Sequence, residues 1–284
     1  MEDLSALDAT VIPKPVNGSQ ELRQTYTYTV MGTDTDYRDR LQMNALFSML
    51  QEAASCNATE HGWGFEKLDG EDYCWILLRM SVRMQRLPSW REKVHVDTWS
   101  RGADKLYFHR DFIIMDENKN RIGAATSIWI LADRISHRPV RPDHVFSLEK
   151  TQFDPVGVLP FEPPKLRTTY SAEEMASGEY ASQTLVKYAD FSEIDRNLHV
   201  NNTRYVAWSI DAAHRQSLEQ GDILGIDICY HAEIKYGEKV HLFIREDDPR
   251  VSIDGFCEST KKTAFSCCLF RAVDPDSIAT ISEG

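Results

Sequence analysis

Hydrophobic and polar positions run through the same succession of periods twice along this chain. In the first half, TYTYTV (25–30) alternates with the two-residue period of a strand, and Leu46, Met49, Leu50, Ala53 and Ala54 then recur at helical spacing until Gly62 breaks the pattern. Alternation returns in WILLRMSVRM, where Ile76, Leu78, Met80, Val82 and Met84 are expected on one strand face, and continues through VHVDTW, KLYFHRDFIIM and AATSIWILA. The second half repeats this order. TLVKYADF reads as a strand, Val206, Ile210 and Ala213 keep helical spacing, and DICYHAEIKY, KVHLFIRE, RVSIDGF and AFSCCLFRAV follow as strands.

A strand, a turn, one helix and several strands, present twice, predict an α+β chain built as a tandem repeat. Between the copies, FDPVGVLPFEPPKLR carries Pro155, Pro160, Pro163 and Pro164 and is expected to run extended, without regular structure. The expected organisation is a tail over 1–20, a first domain over 21–150, a linker over 151–180 with the boundary near 165, a second domain over 181–275 and a tail over 276–284.

Composition narrows the function. The 284 residues are 42% hydrophobic and 27% charged, enough apolar material for a sizeable core. A formal net charge of −12 argues against general nucleic-acid binding, which needs Lys and Arg spread over a face. No stretch approaches the roughly 18 apolar residues of a membrane helix, and the acidic start MEDLSALDATVIPKPVNGS does not read as a secretion signal. Cys56, Cys74, Cys229, Cys257, Cys267 and Cys268 form no C-x-x-C pair, which fits reduced thiols in a cytoplasmic protein. One basic stretch stands out: Arg79, Arg83, Arg86, Arg91, Lys93, Arg101, Lys105 and Arg110 outnumber Glu92, Asp97 and Asp104. It is either a solvated sheet face or a dock for an acidic partner.

Chemistry concentrates in DFSEIDRNLHVNNTRYVAW (190–208), which brings Asp195, Asn197, His199, Asn201 and Asn202 together just before a helix. Asn201 or Asn202 is a natural N-cap, so the cluster lies where unpaired amides and the positive dipole end stabilise an anion. Ester and thioester hydrolysis develops such an anion on the carbonyl oxygen. A turn that uses Asp and Asn only for capping is the plainer alternative. In CYHAEIKYG, strand alternation puts Cys229, His231, Glu233 and Lys235 on one face, so Glu233 is either a surface ion-pair partner or a catalytic carboxylate.

The run Asp195-x-Asn197-x-His199-Val200-Asn201-Asn202, with Tyr230-x-x-Glu233 downstream, resembles the active-site signature of the acyl-acyl carrier protein thioesterases of plants and bacteria. ATSIWILADRISHRPVRP (125–142) is similar to the family's Ser-x-Trp strand and Arg-containing tail, and LQMNALFSMLQEAA to its first helix, so the likeness spans residues 22–272. It implies two tandem hotdog domains, each an antiparallel sheet wrapped around a central helix. The first would shape the acyl-chain pocket and the second would carry the catalytic Asp195, Asn197, His199 and Glu233. Plant members place a Cys after the Glu. Here Ile234 holds that place, so a papain-like Cys-His-Asn route is not available.

The activity this implies is hydrolysis of fatty acyl-acyl carrier protein to free fatty acid, without metal or cofactor. The thioester would enter between the domains and meet amides at the start of the second helix. Glu233 or Asp195 would activate water, His199 would orient that carboxylate or protonate the thiolate, and Asn197 would fix water or carbonyl. An anhydride formed at Asp195 is the alternative. Asn201 and Asn202, with Met49, Leu50, Ala53, Ile76, Leu78 and Met80 along the acyl chain, would bind substrate, and Arg79, Arg83, Arg86, Arg91 and Lys93 would dock the acidic carrier. The rivals are an acyl-CoA thioesterase of the same fold and a non-catalytic acyl-binding hotdog protein. The fused repeat makes a monomeric pseudo-dimer sufficient, with a homodimer as the other possibility. Aligning the halves by eye sets Leu41 near His199, Asn44 near Asn202 and Ser81 near Glu233, so the first copy is expected to lack the chemistry.

Overall fold

The computed structural model describes residues 23–141, 157–177, 184–214 and 221–272. The expected tails over 1–20 and 276–284 lie outside them. The chain divides between Pro164 and Lys165 into two compact units. In the first, β1 (Gln24–Thr29) leads through a 3-10 turn (Gly32–Asp34) to α1 (Met43–Glu60) and a short α2 (Phe65–Gly70), followed by β2 (Tyr73–Met84), β3 (Lys93–Asp104), β4 (Tyr107–Met115) and β5 (Arg121–Asp133). The strands pair antiparallel in the order β1-β3-β4-β5-β2. Helix α1 lies on β3 and β1, where Leu46, Leu50 and Ala53, three and four residues apart, are fully buried. Each such leucine contributes about 1.5–3 kcal/mol.

The second unit repeats the plan. After α3 (Ala172–Ser177) come β6 (Thr184–Tyr188), a 3-10 turn (Phe191–Glu193), α4 (Asn202–Ala213), β7 (Ile223–Tyr230), β8 (Lys239–Asp247), β9 (Arg250–Cys257) and β10 (Lys262–Arg271). Its order, β6-β8-β9-β10-β7, is that of the first unit position for position. Helix α4 packs on β8, β9 and β10 through Tyr205, Val206, Trp208 and Ala212. A single long helix laid across a curled antiparallel sheet, in each unit, is the hotdog fold.

One of these expectations changes. The face predicted for β2 does not run unbroken, because the register against β5 steps from Leu77↔Trp129 to Arg79↔Ile128 and leaves Leu78 as a bulge. One extra residue reverses the alternation. Met80, Val82 and Met84 therefore share the α1 side with Leu77, while Ile76 falls with Arg79 and Arg83 on the other side. The described part of the proline-bearing stretch, 157–167, forms no helix or strand, and α3 follows it within the 151–180 span. The stretch is not loose. Residues 157–164 are pinned to the first sheet: the Val158 amide donates to Asp111 Oδ2 (2.9 Å), Arg101 pairs with Asp111 and Glu162, and Leu159 is buried beside Ala124. Residues 166–175 are pinned to the second, where the Thr169 amide donates to Asp254 Oδ2 (2.7 Å) and Met175 packs with Phe243 and Phe256.

That pinning removes part of the expected carrier dock. Arg83 is only 4% exposed, donates to the Val82 carbonyl and lies over the Phe161 ring. Arg79 donates to the Pro163 carbonyl (3.0 Å), and Arg110 is buried against Asn57 and Thr98. Arg86 is exposed but paired with Glu92 and Asp116, which leaves Arg91 and Lys93 as exposed remnants. The basic stretch alternates across two faces and the interior, as strand residues must, so it forms no single surface.

Candidate active site

The residues of the 190–208 segment are held by a tight turn. The Asp195 amide donates to the His199 carbonyl (2.8 Å), the Leu198 amide to the Asp195 carbonyl (3.0 Å), and the Asn197 amide to Asp195 Oδ1 (2.8 Å). The last is an Asx turn, the local bond for which Asp is favoured at such positions. Asn201, not Asn202, is the N-cap of α4: its Oδ1 accepts from the Thr203 amide (2.9 Å) and from the Thr203 hydroxyl (2.8 Å). The Arg204 amide donates to the Asn201 carbonyl, the Asn201 amide to Glu193 and the Val200 amide to Ile234. Among the described residues, the Asn202 amide is thus the one near the helix start without a partner, so the expected row of free donors shrinks to one.

Glu233 reaches this turn from outside a strand. The expectation that it alternates with Cys229 along one strand fails, because β7 ends at Tyr230, where the His231 and Ala232 amides both converge on the Ala264 carbonyl. The chain then swings toward the turn, and Lys235 bridges to His199. This places Glu233 Oε2 2.9 Å from His199 Nε2, with the two side chains 38% and 18% exposed. Ile234, in the place of the family's Cys, is fully buried, and Cys229 accepts from the Leu166 amide.

Tyr205, which sequence reasoning passed over, closes the floor. Its hydroxyl accepts from the Ile234 amide (3.3 Å). Burial raises this phenol above its ordinary range, the Ile234 amide pulls against the rise, and the carboxylates of Glu233 and Asp195 add to it. Tyr230, the motif's other aromatic, donates to the Asn202 carbonyl (3.2 Å) and fixes the helix start from below. The structure thus brings His199 and Glu233 together, with Asp195 and Asn197 on the same turn as His199 and with Asn201 and Asn202 at the helix start. Met49, Leu50, Ala53 and Met80 lie buried in the first unit's inner layer, apart from Ile76 and Leu78. Among the described residues no three His, Cys, Asp or Glu side chains gather as a metal site would.

The first unit supplies an internal comparison, bond for bond. Asp36, Asp39, Arg40 and Leu41 form the same turn as Asp195, Leu198, His199 and Val200: the Asp36 amide donates to Arg40, Asp39 to Asp36, and the Arg38 amide to Asp36 Oδ1 (2.8 Å). The Leu41 amide donates to Pro88 as Val200 does to Ile234. Arg40, not Leu41, is therefore the counterpart of His199, Met43 that of Asn202, and Leu87, not Ser81, that of Glu233. The expected pairing is one residue off at Leu41 and Asn44, and Ser81 falls inside β2 whereas Glu233 and Leu87 lie beyond the ends of their strands. Both units keep the aspartate; only the second adds His and Glu.

A duplicated hotdog scaffold with a His–Glu pair at a helix start defines a class of protein. The segment 21–146 matches the acyl-ACP thioesterase N-terminal domain and 175–268 the acyl-ACP thioesterase C-terminal domain, and the chain belongs to the acyl-ACP thioesterase family. It is 26% identical over 200 residues to a palmitoyl-acyl carrier protein thioesterase of Gossypium hirsutum, covering 67% of this chain and 47% of that protein. With an oleoyl-acyl carrier protein thioesterase of Coriandrum sativum it shares 27% identity over 58% of this chain and 45% of that one. The chain spans about half the length of the curated relatives it matches. Among solved structures, an acyl-ACP thioesterase from Bacteroides thetaiotaomicron superposes with a TM-score of 0.76 at 22% identity, over 88% of this chain and 98% of the other. The 12:0-ACP thioesterase of Umbellularia californica gives 0.76 at 18%, over 90% and 99%. At those identities the likeness establishes the fold.

Proposed function

We propose that this protein hydrolyses the thioester of fatty acyl-acyl carrier protein, with the His199–Glu233 pair as its catalytic centre. The 2.9 Å contact between these side chains carries the reading, because only the second unit adds a His–Glu pair to the turn that both units share. Glu233 acts as general base on a water, oriented by His199, which then protonates the departing thiolate. Asp195 holds the Asn197 amide and so places the Asn197 side chain beside the carbonyl, and the Asn202 amide supplies an oxyanion donor. Atoms balance without a covalent enzyme intermediate: water adds to the carbonyl, the C–S bond breaks, and the proton taken by the pair leaves on sulfur. Acyl-chain recognition is assigned to the first unit's inner layer at Met49, Leu50, Ala53 and Met80.

The six free cysteines support a reducing, cytoplasmic setting, and no described helix is long and apolar enough to cross a membrane. The test compares steady-state hydrolysis of palmitoyl-acyl carrier protein with that of palmitoyl-CoA. The reading expects a higher kcat/KM on the carrier protein. Equal or higher kcat/KM on CoA would move the protein to the acyl-CoA class, and no hydrolysis of either would leave an acyl-binding protein.

A further inference from the structure

Leucine is an unusual occupant of the apex of the 195–199 turn. Leu198 has φ +65°, in the left-handed region where Asn, Asp and Gly sit readily and bulky side chains do not. The matching position of the first unit, at φ +59°, is Asp39. No burial compensates for the choice, since Leu198 is 74% exposed. A residue disfavoured by its backbone and unsupported by packing, directly before the candidate catalytic histidine, points to contact with something outside the chain.

Two more exposed apolar side chains stand on the loops that hold the pair. Phe191, 85% exposed, opens the 3-10 turn whose Glu193 carbonyl receives the Asn201 amide, and Tyr236, 68% exposed, follows Lys235, which bridges to His199. Arg196 and Lys235 are exposed among them. Two of the neighbouring acids, Glu193 and Glu238, are engaged in hydrogen bonds that hold these loops. Glu193 accepts from Trp208 Nε1 (2.8 Å) and from the Asp190 amide (3.1 Å), and Glu238 from the Lys235 amide (2.8 Å) and the Ser259 hydroxyl.

We propose that Leu198, Phe191 and Tyr236, with Arg196 and Lys235 between them, form the docking surface for the acidic carrier protein that presents its thioester to His199 and Glu233. The inference rests on the acyl-carrier reading of the site and replaces the β2–β3 arginines as the dock. An apolar centre with interspersed cations is the complement of an acidic surface that carries a few exposed apolar side chains, and its continuity with the catalytic pair fits a partner that delivers a tethered substrate.

The test is Leu198→Asn, which relieves the backbone and so keeps the fold, assayed on acyl-acyl carrier protein and on the same acyl group carried by N-acetylcysteamine. The expected result is a KM for the carrier substrate raised roughly tenfold, as loss of a central apolar anchor produces, with kcat and the hydrolysis of the small thioester unchanged. Lys235→Glu should raise the carrier KM as well. An unchanged KM, or equal losses on both substrates, would overturn the surface while leaving an active enzyme and the functional reading intact. A wild-type dimer that Leu198→Asn dissociates would assign the patch to a second copy and overturn it too. A wild type active on the small thioester but not on the carrier substrate would overturn both the surface and the reading it rests on.

Discussion

At the scale of single residues, the site depends on bonds too short in range to be seen as chemistry. Asn201 Oδ1 takes the Thr203 amide and sets where α4 begins. Asn201→Ala is expected to lower stability by about 1 kcal/mol, the usual cost of losing such a cap, read as a fall in the denaturant midpoint at unchanged slope. Asp195 has a role its counterpart shares. At Asp36, burial pushes the carboxyl up, but the amides of Arg40 and Arg38 together with the Arg38 guanidinium outweigh it and hold the group below the ordinary range, without any catalytic neighbour. Asp195→Asn keeps the oxygen that accepts the Asn197 amide. It should therefore lose less kcat than Glu233→Gln, and a larger loss with an unchanged melting temperature would favour Asp195 as base or nucleophile.

At the scale of elements, α1, α4 and the long strands were legible because their apolar periods are set by burial on one face, and the N-cap before α4 was legible because Asn201 satisfies a need local to the chain. The bulge at Leu78 and the exit of the chain after Tyr230 were not, since partners on other strands decide them: β5 shifts register opposite Leu78, and the Ala264 carbonyl captures two successive amides. Helices α2 and α3, six residues each, are too short to show a period. Edge electrostatics give a separate prediction. Glu258 receives hydrogen bonds from Lys239 Nζ and His241 Nε2, which hold its carboxyl at about 2, below the ordinary 4.5. A depressed folded-state value contributes stability above pH 4.5 and loses it as pH falls toward 2. Denaturation of Glu258→Gln should thus show a shallower loss of stability over that acid range than the wild type; an identical slope would remove the ion pair from the account.

At the scale of the molecule, one scaffold is used twice and only the second copy carries the His–Glu contact. The duplication was readable from the order of elements, and the loss of His and Glu from the first copy was too, although the residues standing in their place, Arg40 and Leu87, emerged only from matching hydrogen bonds. The shared turn explains why a motif rich in Asp and Asn is a weak sign of catalysis by itself, and why the His–Glu contact is the stronger one. The most direct test is therefore kcat on an acyl-acyl carrier protein for His199→Ala and Glu233→Gln, each checked for a wild-type melting profile. Both variants should lose about 100- to 10,000-fold in kcat; near-wild-type turnover by either folded variant would rule out the His199–Glu233 pair as the catalytic centre.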